Sequence, residues 1–174
     1  MTFLFSALLL LAACGLIKDA AVVTIETQLT SVMQVTVSGT KSAELSSGIN
    51  DLPFSEEQVL DLKSNTELVP YLDDIREIEF MSILVDIYGV TGEQVVYSLL
   101  LDAKGVGTIA TIKNITPMQI AYPPEIDFAK LEEAGKQLKQ NKKITLVVHG
   151  EANMPMSFNI QMTFPIEVVA GVLD

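Results

Sequence analysis

The sequence predicts a mainly β fold, an antiparallel β-sandwich of about seven strands with two short helices. Three observations predict it. Apolar and polar residues alternate strictly over 154–167 and nearly so over 144–153, as in strands with one face buried and one wet. A hairpin is written into 94–112, where two β-rich runs flank Asp102, Ala103, Lys104 and Gly105. Clusters of Ser, Gly, Asn and Asp separate the other apolar runs. At 174 residues, 49% hydrophobic and with a mean hydropathy of +0.38, the chain can bury a real core within one domain.

The elements follow in order. Val23, Ile25 and Leu29 alternate with Thr24, Glu26 and Gln28, and Met33, Val35 and Val37 alternate with Gln34 and Thr36. They read as one long strand with a break near Thr30 and Ser31, or as two strands. Residues 38–53 read as a loop, and 58–62 as a short edge strand. In SNTELVPYLDDI, Ser64 or Asn65 can cap a helix whose face carries Leu68, Leu72 and Ile75, with Pro70 limiting it to one or two turns. A strand over 77–88 follows. The 102–105 tetrapeptide fits a type I turn, with Asp102 first and Gly105 last. Residues 127–140 predict the best helix: Asp127 caps it, Glu132 and Glu133 lie early, and Lys136 and Lys139 lie late. In the last run Met154, Met156, Phe158, Ile160, Met162, Phe164 and Ile166 share one face, and two prolines, Pro155 and Pro165, fall on the other. Prolines there suggest an edge strand or bulges.

The N-terminus reads differently. Residues 2–13 are almost wholly apolar, too few to span a bilayer as a helix, which needs ~20, but right for the core of a secretory signal. The run closes on Leu11, Ala12, Ala13 and Cys14, and Cys14 is the only cysteine. These four residues resemble the lipobox of bacterial lipoproteins. The resemblance implies a signal peptide over 1–13, diacylglycerol on the Cys14 sulfur, acylation of its freed amine, and a lipidated tether over 14–20 ahead of a domain at 21–174. Gly15 follows the cysteine in place of the Asp that retains enteric lipoproteins at the inner membrane, so the implied address is the outer membrane, facing the periplasm. The leader holds no Lys or Arg, so the chain's own amine is its only positive charge before Cys14. The alternative is a buried N-terminal strand or helix with an incidental thiol. Beyond the leader, NTELVPYLDDIREIEF and VVHGEANMPMSFNIQM resemble segments of the immunoglobulin-like lipoproteins of Bacteroidota. That implies an immunoglobulin-like sandwich and no particular activity.

Composition excludes several functions. The net charge is −11, from 22 acidic and 11 basic residues, and the basic ones are scattered. Such a chain has no electrostatic reason to meet nucleic acid. Trp is absent, which argues against a module that reads sugars by stacking. One His and one Cys make a zinc site improbable in composition, and the acidic group at Asp73, Asp74, Glu77 and Glu79 lacks a calcium-loop pattern. No metal or cofactor is expected. His149 is the lone histidine; Glu151 shares its face and Ser157 could stand on a neighbouring strand, the minimum for a hydrolase. Met154, Met156 and Met162 could line an adaptable apolar cavity for a lipid-like ligand, or fill the core. The expectation is a non-enzymatic binding or scaffold module, anchored to the membrane through Cys14, with a protein partner in the envelope. A carrier of apolar ligands and a hydrolase using His149 are the alternatives.

Overall fold

The computed structural model describes residues 21–39, 51–117 and 122–171. The leader, Cys14 and the tether to residue 20 lie outside them, as does most of the expected 38–53 loop. The described chain forms β1 (Val22–Val37), β2 (Leu52–Asp61), two 3-10 turns (Leu62–Ser64 and Val69–Tyr71), β3 (Ile75–Phe80), β4 (Leu84–Tyr88), β5 (Val96–Ala103), β6 (Gly107–Ile115), β7 (Glu125–Ile126), α1 (Phe128–Asn141), β8 (Lys143–Ala152) and β9 (Met156–Gly171). Over the described residues the fold is mainly β: two antiparallel sheets and one α-helix. A front sheet runs β1-β9-β3, with β4 continuing beyond β3 along the same side of β9; a back sheet runs β2-β8-β5-β6-β7.

The strand order follows from matched lengths. β1 and β9 have 16 residues each and pair without a slip from Val22 opposite Gly171 to Val37 opposite Met156. β2 and β8 have ten each and pair from Leu52 opposite Ala152 to Asp61 opposite Lys143. Inside these, β5 pairs with β6. The chain thus folds as nested antiparallel ribbons whose levels alternate between sheets, the order of a jelly roll. α1 takes the place of the strand that would pair with β3. A Cβ on Gly135 would lie 2.7 Å from the Ile78 carbonyl oxygen, so only glycine lets the helix press against that strand. Immunoglobulin order would put the first two strands in one sheet. Here β1 and β2 lie in opposite sheets, and β1 pairs with the last strand.

The core lies between the sheets. Leu29, Met33, Val35 and Val37 of β1 and Phe158, Ile160, Phe164 and Val168 of β9 supply the front, and Leu99, Leu101, Leu146 and Val148 the back. Phe54 of the back sheet meets Phe158 of the front edge-to-face, centroids 5.6 Å apart. Leu131, Ala134, Gly135 and Leu138 of α1 are buried. Asp127 caps this helix through Oδ1, which accepts from the Lys130 N–H at 3.2 Å.

Several local expectations are corrected. β1 has no break at Thr30 and Ser31: Ser31 simply takes an inward place, 5% exposed, so the alternation holds with a polar residue on the buried face. β2 begins at Leu52, inside the expected loop. SNTELVPYLDDI gives two 3-10 turns, not a helix. Asn65 serves both ends of its amide: Oδ1 accepts from the Glu67 N–H at 2.9 Å as a local cap, and Nδ2 fastens the segment to β1, donating to Thr27 Oγ1 at 2.9 Å and to the Gln28 carbonyl at 3.0 Å. The expected strand over 77–88 splits into β3 and β4 opposite Pro165. The Pro165 carbonyl accepts from Met81 N–H at 2.9 Å; in an antiparallel ladder the N–H of the same residue would point the same way, and proline has none. Pro165 therefore marks an interruption in its partner, and β9 is the central strand rather than an edge. The hairpin turn falls one residue later than expected: Val106 N–H donates to the Ala103 carbonyl at 2.9 Å and Gly105 has φ +89°. That leaves Asp102 on β5.

Candidate functional site

The outer faces of the two sheets carry the functional candidates, and they differ in kind. On the front sheet, strand pairing sets the side chains in rows. Gln34, Asn159 and Tyr88 form one row; Val32, Gln161 and Asp86 the next; Thr30, Thr163 and Leu84 a third. Asp86 is the only charge in these rows. Val32, Leu84 and Tyr88 are more than half exposed. Further toward the Val22 end the face turns acidic. Glu26, Glu167 and Glu79 stand side by side across three strands, and a shallow depression there is also bordered by Glu67, Met81 and Pro165. Like charges directly opposite destabilise a sheet, so this row works against the fold that holds it. No group of His, Cys, Asp and Glu among the described residues is arranged to hold a metal ion.

On the back sheet three ionisable pairs meet. His149 of β8 lies opposite Leu100 of β5, and its Nε2 is 3.2 Å from Asp102 Oδ2, two residues along. The two side chains are 38% and 29% exposed, and Asp102 Oδ1 is buried without a hydrogen-bond partner. Ser55 of β2 is the direct neighbour of His149 on the other side, and both line a shallow depression with Ser98 and Glu151. No hydrogen bond links Ser55 to His149 among the described residues, so a base and an orienting acid are present without a nucleophile in contact. Ser157, the expected partner, is on the front sheet's outer face, because β8 and β9 belong to different sheets. Lys104 with Glu57 (3.4 Å) and Lys113 with Glu125 (3.3 Å) complete the ion pairs of this face.

The methionines lie inside. Met156 and Met162 are 6% and 1% exposed on the inner face of β9, and Met154 is partly buried against the same core. Cys14 lies outside the described residues.

Sequence reasoning missed Asp102 as the partner of His149, because the turn was placed one residue early and absorbed it. Ser55 was missed because β2 starts inside a segment rich in turn formers. The free front face was legible in part: the even positions of β1 and the odd positions of β9 were already read as the polar sides of their strands. That the two sides adjoin is a matter of long-range pairing.

No family model matches this sequence, and no curated protein matches it. Among solved structures, one of Desmodium yellow mottle tymovirus is similar over 86% of this chain and 91% of that chain, with 11% identity and a TM-score of 0.33. A likeness at that score carries no weight for fold or function.

Proposed function

We propose that this chain is a lipid-anchored module of the bacterial cell envelope, at the outer membrane and facing the periplasm, which acts by binding rather than by catalysis. The observation that carries the reading is Cys14, at the end of an apolar leader and behind Leu11, Ala12 and Ala13, with the first described strand beginning at Val22. Two or three acyl chains hold a protein far more firmly than one, since each buried CH₂ contributes ~0.8 kcal/mol. Kinship with immunoglobulin-like lipoproteins finds no support in the strand order, so the reading rests on the lipobox.

Intact-mass analysis of the membrane-extracted protein tests it. Wild type should show a mass for a chain starting at Cys14 plus acyl chains, and Cys14→Ala should lose both processing and the acyl mass. An unmodified wild-type chain that keeps residues 1–13 would overturn the anchor.

A further inference from the structure

We infer that the sparsely charged part of the front sheet's outer face, centred on Gln161, binds a neutral, hydroxyl-rich polymer: a polysaccharide chain. This rests on the binding-module reading and names its partner class. The amides of Gln34, Asn159 and Gln161, and that of Gln28 just below, stand on rigid neighbouring strands. None of the four side chains is bonded to another described residue. Each amide offers two donors and an acceptor. Strand geometry spaces them at ~4.8 Å across the sheet and ~7 Å along it. A sugar hydroxyl both donates and accepts, so a chain of sugars can use such a lattice at many points, and an apolar ligand cannot.

Charge argues the same way. The chain carries −11 overall, yet these rows hold one charge, Asp86. An anionic ligand finds no ion-pair partner here and meets repulsion from Glu26, Glu167 and Glu79 nearby, and a cationic one finds a single carboxylate, Asp86, whereas a neutral ligand needs neither. Area argues against a second protein. Three strands and about seven residues of length give roughly 14 by 24 Å, some 340 Å², whereas a stable protein interface takes ~800 Å² from each partner. A linear chain needs only the strip. Tyr88 supplies a single ring at the margin, so recognition rests on hydrogen bonds rather than stacking. That agrees with a sequence lacking Trp.

The test is co-sedimentation of the full-length acylated protein, in detergent, with insoluble chitin, cellulose and cross-linked dextran. Wild type should be retained on at least one of them. Gln161→Lys should cut the retained fraction about fivefold or more and Tyr88→Ala about twofold, while Glu151→Lys on the back face leaves it unchanged, all three with unaltered circular dichroism. Retention on none of the three polymers would overturn the inference, as would retention that the back-face variant lowers as much as Gln161→Lys. A photo-crosslinker at position 161, used in cells, separates the two levels of the argument. Crosslinks to a protein in place of a polysaccharide would overturn the polymer and leave the binding module standing; no crosslink to either would remove both.

Discussion

The two outer faces belong to one sandwich, yet they spend their polar groups differently. The back face joins them in pairs: His149 to Asp102, Lys104 to Glu57, Lys113 to Glu125. The front face, over the rows from Thr30 to Gln34, leaves amides and hydroxyls without a described partner. Its sparsely charged rows also come with a long, slip-free ladder, whereas β5 slips against both of its neighbours. A paired surface has its hydrogen-bonding capacity committed within the chain. An unpaired one offers it only to water or to a ligand. The difference teaches that the ionisable pairs of the back face, which attract the eye first, are engaged with one another, while the amides of the front rows are not.

Substitutions can break or sharpen this contrast. The largest effect belongs to the shared core beneath both faces. Phe164, fully buried against Phe80 with centroids 5.6 Å apart, should cost about 3–5 kcal/mol on change to alanine, read by urea denaturation. Next comes the back sheet's irregularity. A Cβ at Gly150 would lie against the Ser98 carbonyl and 2.9 Å from the Phe54 ring. Gly150→Ala should therefore cost about 3 kcal/mol, and an unchanged denaturation midpoint would show that the β5 slip is not held by this glycine.

Ser31 sharpens the comparison in the other direction. Its Oγ is buried with no hydrogen-bond partner, and a buried polar group left unpaired costs stability. Ser31→Ala should raise stability by roughly 0.5–1 kcal/mol; a loss instead would mean the hydroxyl has a partner in solution. Lys104→Ala should cost no more than about 0.5 kcal/mol, shrinking further in 1 M salt, because both partners are exposed.

The smallest effect is one of pH. A hydrogen bond from Lys136, and then its charge, hold Glu132 below the ordinary carboxylate value. The folded value is the lower, so the pair's contribution is present above the unfolded glutamate value and is lost as pH falls through the folded one. The melting temperatures of wild type and Lys136→Met should differ slightly at pH 7 and converge at acidic pH.

Local chemistry made much of the fold legible. The Asp127 cap and the alternation of β9 appear where the sequence puts them; of the apolar stripe it implies for the helix (Phe128, Leu131, Ala134 or Gly135, and Leu138), all are buried except Phe128, which is 63% exposed. What stayed hidden depends on a partner far along the chain. The split between β3 and β4 is dictated by Pro165, some eighty residues later, and no pattern in 77–88 announces it. Asn65 is legible as a local cap, which it is for the Glu67 N–H, but its second attachment, to β1, is not. The candidate face shows the same limit. Gln34 and Asn159 each read as the polar side of a strand, and only the register of β1 on β9 makes them neighbours.

The length of β1 has a mechanical consequence. Sixteen residues at ~3.4 Å make a rod of ~50 Å, and the proposed anchor attaches at its acidic foot. Eight peptide links separate Cys14 from Val22, a reach of at most ~28 Å. The glutamates at the foot are repelled by anionic headgroups, which disfavours lying flat on such a surface. The protein would then behave as a short mast, with its sparsely charged rows about 25–40 Å up the rod. What it touches is set less by the membrane than by whatever passes at that height.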